Sequence, residues 1–369
     1  MNFDIKIIKA NESKIDTIDF NNFSFGSVFT DHMFECDYVD GNWTNPTIKP
    51  YQAISFEPSA SVFHYGQAIF EGMKAYKDEN DEVWLFRPGK NFERINKSAV
   101  RMAIPEFPES LFFDALKKLI NLDKDWVKKG EGRSLYIRPF IIGNEYAIQA
   151  VPSKNYKFMI ICAPATLYYT KKLKVLVADK YSRAASGGVG FAKAAGNYAG
   201  QFYPTNLAKE KGFDQIVWTD SNEHKYLEEA GTMNIFFRID NNLITAPVTD
   251  TILDGVTRKS IIQIAKDQGI NVEIKKLSID ELKSSAKNGS LKEIFGAGTA
   301  AVVSEIKGFQ HKEEYFELKE QDDSYATRLK DNLTGIQTNK LEDPHNLSLI
   351  HISEPTRRYA ISYAVFCLK

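Results

Sequence analysis

Gly190-Phe191-Ala192-Lys193-Ala194-Ala195-Gly196-Asn197-Tyr198 sets one lysine among small, mostly apolar residues, with a tyrosine five positions on. Solvation of a charged face does not explain a lysine flanked by Gly and Ala. Such surroundings disfavour the ammonium form and suit an amine that condenses with a carbonyl. Further along, Glu229-Ala230-Gly231-Thr232-Met233-Asn234 places a carboxylate at the edge of a Gly-Thr turn, which runs into the strand-like Ile235-Phe236-Phe237. A typical lysine is a solvated surface group, so these two segments need support from the rest of the chain.

That support comes from Phe70-Glu71-Gly72-Met73-Lys74-Ala75-Tyr76, Tyr136-Ile137-Arg138-Pro139 and Gly296-Ala297-Gly298-Thr299-Ala300. With the Lys193 and Glu229 segments, and in this order, they resemble the branched-chain aminotransferases, fold-type IV enzymes that use pyridoxal phosphate. The resemblance runs from about residue 25 to about residue 337, most of the chain. It implies a two-domain α+β fold of the D-amino acid aminotransferase type. A small N-terminal domain (1–163), a linker (164–172) and a larger cofactor-binding domain (173–346) are expected, with the active site between the domains.

The resemblance assigns roles residue by residue. Lys193 would hold the cofactor covalently and carry the proton, Glu229 would face the pyridine nitrogen, and Tyr198 would bond the phenolic oxygen. Arg94 matches the family's phosphate arginine, and Arg183 would support the phosphate too. Gly255-Val256-Thr257 opens a helix, and a helix N-terminus is a ready anion site. Thr299 adds a hydroxyl beside Gly-rich backbone. For substrate, Tyr136 and Arg138 lie two apart on a strand and so share a side, where they could hold a carboxylate. Tyr65, Phe70 and Tyr168 match pocket aromatics, and Thr232 and Ala300 complete the substrate set.

Periodicity predicts a helix over 90–102 with Phe92, Ile95, Ala99 and Met102 on one face. Arg94 falls opposite, on the side shared with Lys97 and Arg101. Ser110 is a candidate cap for a second helix striped by Leu111, Ala115, Leu116, Leu119 and Trp126. Strands are expected at 134–142, 157–163, 173–177 and 214–218, a hairpin turn at 239–244, and a helix over 255–267 stopped by Gly269.

A formal net charge of −1, from 47 basic and 48 acidic residues, gives no reason to invoke nucleic acid or an acidic membrane surface. No apolar run approaches the roughly 20 residues of a membrane helix, and residues 1–6 lack the apolar core of a secretory signal. Cys36, Cys162 and Cys367 are too scattered for a disulfide framework or a metal site. A cytoplasmic enzyme acting on small molecules is expected, and the resemblance implies a homodimer or a multiple of one.

The chain departs from the family pattern in three places. Ala195 stands where glycine is common. Ala301-Val302-Val303-Ser304 lacks the Cys-x-x-Cys of mammalian members, so no redox switch is expected. Residues 347–369 read like translation of a sequencing adapter, which implies a truncated native end and a poorly packed tail. The resemblance favours transamination of leucine, isoleucine and valine with 2-oxoglutarate. Its rivals are a D-amino acid aminotransferase, an aminodeoxychorismate lyase, or a non-catalytic protein that keeps the fold.

Overall fold

The computed structural model describes residues 3–169, 171–345, 347 and 349–351. The first half of the chain forms β1 (Lys6–Ile7), β2 (His32–Val39), β3 (Asn42–Pro50), α1 (Ser61–Tyr65), β4 (Ala68–Phe70), β5 (Met73–Lys77), β6 (Val83–Phe86), α2 (Pro88–Arg101), α3 (Glu109–Leu122), β7 (Ser134–Gly143) and β8 (Tyr156–Ala165). These strands make one sheet, ordered β1-β3-β2-β8-β7-β5-β6 with β4 beside β7. Its core is aromatic. Phe107 stacks on Phe158 at 3.8 Å between ring centroids, and Phe112 and Trp43 meet the same ring edge-on. The apolar stripe of α3 (Leu111, Ala115, Leu116, Leu119) is buried against this cluster.

The second half forms β9 (Leu173–Val177), α4 (Gly196–Ala199), α5 (Phe202–Glu210), β10 (Gln215–Thr219), β11 (Leu227–Ala230), β12 (Met233–Ile239), β13 (Asn242–Thr245), α6 (Val256–Asp267), β14 (Asn271–Ile274), α7 (Ile279–Asn288), β15 (Leu291–Gly298), β16 (Val302–His311), β17 (Glu314–Glu317) and α8 (Tyr325–Gln337). Its strands run β11-β10-β9-β16-β15-β12-β13-β14, and β11 also pairs with β12. That extra pairing closes a ring of six strands and covers the free edge of β11, while β14 remains at the other end. Val175, Val217, Leu227, Ile235 and Phe237 belong to one buried cluster of this unit. A further cluster crosses between the units, joining Tyr76 and Phe86 to Phe236, Ile261 and Leu329. The cleft between the sheets is therefore braced by a shared core.

Several sequence expectations shift. Pro108, not Ser110, precedes the first turn of α3, and Trp126 falls in a separate short turn beyond the helix. β8 runs on through Pro164 to Ala165, because its pairing with β7 continues to Ser134↔Ala165. The connection between the sheets is thus shorter than 164–172. In the tail, Leu347 is only 7% exposed within the shared core, and β18 (Leu349–His351) pairs with β6. Leu347 is packed and the backbone of 349–351 is paired, contrary to the expectation of a poorly packed tail, and the rest of the adapter-like tail lies outside the described residues. No helix among the described residues is long and apolar enough to cross a membrane.

Candidate active site

The lysine segment is stitched to the opposite sheet. Phe70 N–H donates to the Lys193 carbonyl at 3.1 Å and Ala195 N–H to the Ala68 carbonyl at 3.0 Å, so the segment runs along β4. Lys193 N–H donates to the Ser98 hydroxyl of α2 at 2.9 Å. Ala192 and Ala194 are each 2% exposed, which explains the small residues on either side. Asn197 Nδ2 ties the following turn to the Val189 and Ala192 carbonyls at 2.8 and 2.9 Å. Lys193 Nζ donates to the Tyr198 hydroxyl at 2.9 Å and lies 4.9 Å from the centre of the Phe70 ring.

Glu229 is the penultimate residue of β11, just before the turn to β12. Gly231 has φ +56°, and a Cβ there would fall 2.3 Å from Gln215 Oε1, so the turn requires glycine. The carboxylate is 3% exposed. It accepts from Asn234 Nδ2 at 3.0 Å and Leu253 N–H at 3.1 Å, and pairs with Arg183 at 2.9 Å. Burial pushes the Glu229 carboxyl up, against the pull of the Arg183 guanidinium. Arg183, expected near the phosphate, makes this pair through Nη2. Its other bonds go to the Gly190 and Thr251 carbonyls, which leaves it behind Glu229 rather than on the wall of the main cavity.

Arg94 does not share the outward side of α2 with Lys97 and Arg101, as its position on the helix implied. Lys97 and Arg101 are exposed, but Arg94 is 8% exposed and shares a buried polar face with Asn91 and Ser98, three before and four after it. Its Nε and Nη2 grip the two oxygens of Glu71 at 2.6 and 2.8 Å, and Nη1 donates to the Asp254 carbonyl at 3.0 Å. Glu71 is fully buried and also accepts from Asn91 Nδ2 at 2.7 Å. Burial alone would raise its carboxyl, but Arg94 outweighs that and holds it below the usual range. Sequence reasoning gave Glu71 no role. An acid between Phe70 and Gly72-Met73, in an otherwise apolar stretch, was the available signal.

Past Asp254, Gly255 precedes α6 without a side-chain cap. The first N–H groups of a helix have no acceptor within it, and here Val256 and Thr257 face the same cavity as Arg94, Thr299 and Lys193. A Cβ on Gly255 would sit 1.9 Å from Asn234 Oδ1, and one on Gly296 2.7 Å from Met233 Cε. Both glycines are required by these neighbouring side chains.

This cavity holds about 660 Å³ between the sheets. Tyr136, Arg138, Phe70, Tyr168, Thr232 and Ala300 all line it. Arg138 Nη2 donates to the Tyr136 hydroxyl at 3.1 Å, and its guanidinium lies 4.5 Å from the Phe70 ring centre. A Cβ on Gly72 would fall 2.0 Å from that hydroxyl, so Gly72 makes room for Tyr136. Phe25, which sequence reasoning missed, meets Tyr136 and Tyr168 edge-on at 5.0 and 5.2 Å. Its loop carries no periodic pattern that could have marked it. Tyr65 is not part of the wall. At the end of α1 it is 46% exposed, and its hydroxyl donates to the Ile148 carbonyl at 2.8 Å.

Two braced sheets, with one lysine, one buried carboxylate and one helix N-terminus around a common cleft, define a fold-type IV enzyme. The family model for amino-transferase class IV matches residues 68–309. Branched-chain-amino-acid aminotransferase 2 of Bacillus subtilis (strain 168) is 44% identical over 341 residues, 91% of this chain and 94% of that one. The branched-chain-amino-acid aminotransferase of Mycolicibacterium smegmatis is 41% identical over 87% of this chain and 90% of its own. Among solved structures, the Escherichia coli branched-chain amino acid aminotransferase superposes with a TM-score of 0.72 at 23% identity, covering 88% of this chain and 99% of that one. The chain belongs to the class IV aminotransferases, in the branched-chain-amino-acid aminotransferase family.

Proposed function

We propose that the chain transfers the amino group of leucine, isoleucine or valine to 2-oxoglutarate, with pyridoxal phosphate held between the sheets. The observation that carries this reading is the placement of Lys193 Nζ, Glu229 and the α6 N-terminus around one aromatic-walled cavity. A cofactor with an aldehyde, a basic ring nitrogen and a phosphate fits that set. The uncapped α6 end, Thr299 and Arg94 would hold the phosphate, while buried Glu229, its carboxyl pushed up, would hold a proton on the ring nitrogen. Bound there, the cofactor supplies an electron sink for the pair left when a proton leaves the substrate Cα.

The rest is work for this chain's side chains. Lys193 Nζ is the amine that anchors the cofactor and moves the Cα proton, and the Tyr198 hydroxyl at 2.9 Å keeps it oriented. Tyr136 and Arg138 present a hydroxyl and a guanidinium together, which suits a carboxylate. Phe25, Phe70 and Tyr168 exclude water from an aliphatic side chain, a gain of about 25 cal/mol per Å² buried. One cavity thus offers both an apolar wall and a cationic group, as alternating leucine and 2-oxoglutarate require.

Steady-state assays with L-leucine, L-isoleucine and L-valine against 2-oxoglutarate test the reading. All three should be donors. A preference for D-alanine, or pyruvate release from aminodeoxychorismate, would transfer the chain to another branch of the fold. Glu229→Gln is expected to retain bound cofactor but lose roughly a hundredfold in kcat, as when other preorganised electrostatic groups are removed. Turnover near wild type would remove Glu229 from this role.

We also infer a homodimer, acting in the cytoplasm. Phe63, Tyr65, Tyr146, Ile148 and Val151 are all exposed, from 46% to 69%, and Tyr65 bonds to Ile148 within this apolar group. Such a patch suits a partner surface. Sedimentation at micromolar concentration should give twice the chain mass, and a monomer there would overturn the dimer.

A further inference from the structure

Lys74 is the one lysine on β5 whose amine turns inward. It is 5% exposed, and its side chain shares a sheet face with Tyr136, its register partner on β7. Its Nζ crosses between the two sheets and donates to the Ala300 carbonyl at 3.0 Å. Among the described residues no carboxylate pairs with it. Burial alone acts on this amine, lowering its pKa to about 8. An uncompensated buried lysine is costly to keep, and a lysine serving only to fill space would be better replaced by methionine.

The group it holds is part of the active site. Thr299, Ala300 and Ala301 form the turn between β15 and β16, and all three line the catalytic cavity. Lys74 approaches from the other side, where a second cavity of about 580 Å³ is walled by Lys74, Ala300, Ala301 and Tyr168. A trans peptide is planar, with its carbonyl and N–H pointing in opposite directions. A carbonyl of Ala300 fixed towards Lys74 therefore turns the Ala301 N–H away, towards the catalytic side. The ends of the turn are held by the Gly298↔Val302 pairing, with Val302 at φ +59°, and the Lys74 bond fixes the peptide between them.

We propose that Lys74 is a positioning residue, which sets the peptide orientation of the 299–301 turn and so the N–H groups it offers to a bound substrate carboxylate. This rests on the transaminase reading above. It makes the N-terminal sheet, through one amine, responsible for the shape of a binding element in the other sheet.

The test compares wild-type holoenzyme with Lys74→Met and Lys74→Arg, measuring KM, kcat and Tm with L-leucine and 2-oxoglutarate. Lys74→Met should raise both KM values about tenfold, with kcat within about threefold, as loss of a binding orientation does. Its Tm should hold or rise, because a buried charge has gone. An unchanged KM in Lys74→Met overturns the proposal, as does a fall in Tm and kcat at constant KM. If Tm and affinity fall together, Lys74→Arg decides. A KM back within threefold of wild type supports the proposal, and a KM left at the methionine value overturns it. Absence of wild-type activity with leucine would instead sink the functional reading.

Discussion

Lys193→Ala is expected to cut turnover by roughly 10⁴-fold or more. A positioned acid–base group contributes up to about 10⁴ by itself, and this amine is also the covalent anchor. The fold should survive the change. The bonds that place the segment, to Ser98, Phe70 and Ala68, use its backbone or that of Ala195 rather than the lysine side chain. Stability should therefore stay within about 1 kcal/mol by urea denaturation. The visible absorbance of bound cofactor should move, and borohydride reduction of the wild type should leave the pyridoxyl group on Lys193. A pyridoxyl adduct on another lysine, or a variant that retains a tenth of the activity, would show that the amine is elsewhere.

How much of this was legible depends on what each residue's surroundings are made of. The strand over 173–177 and the helix from 255 were readable because their patterns are local, a period of two and a period near 3.6 ended by Gly269. Lys193 was readable because its neighbours are Ala and Gly. Arg94 was turned the wrong way. A helical wheel gives angular position only, and Arg94, Lys97 and Arg101 look alike until Glu71 is seen to meet just one of them. Arg183 and Tyr65 failed for the same reason: each lies close to the cleft along the chain, yet its partner, Glu229 or Ile148, is set by tertiary packing. Phe25 and Lys74 act through contacts with remote residues, and no local pattern announces either.

The second large effect concerns Glu71, and it separates stability from binding. Glu71→Gln would keep the shape of the side chain but leave the Arg94 guanidinium buried without a counter-charge. Breaking a buried pair in this way costs about 3–5 kcal/mol, to be read in cofactor-saturated protein by urea denaturation. The wild-type pair also predicts a pH dependence of definite sign. Arg94 holds the folded-state Glu71 carboxyl below its unfolded value. Its stabilising contribution is thus present above the unfolded pKa of about 4.3 and is lost as pH falls through the lowered folded value. Glu71→Gln should be missing that part of the acid limb. Replacing both partners, as Glu71→Leu with Arg94→Met, removes the stranded charge and should recover stability, though not fully. Asn91 Nδ2 and Gly72 N–H, which donate to Glu71 at 2.7 and 3.1 Å, would still lack their acceptor. Cofactor affinity should not recover, because Arg94 lines the cavity beside the α6 N-terminus and its charge would be absent. A double variant that regains stability yet binds pyridoxal phosphate tenfold or more weakly would assign Arg94 to the phosphate and Glu71 to keeping it there. Wild-type affinity in that variant would mean the pair is structural, and that the α6 end with Thr299 suffices for the anion.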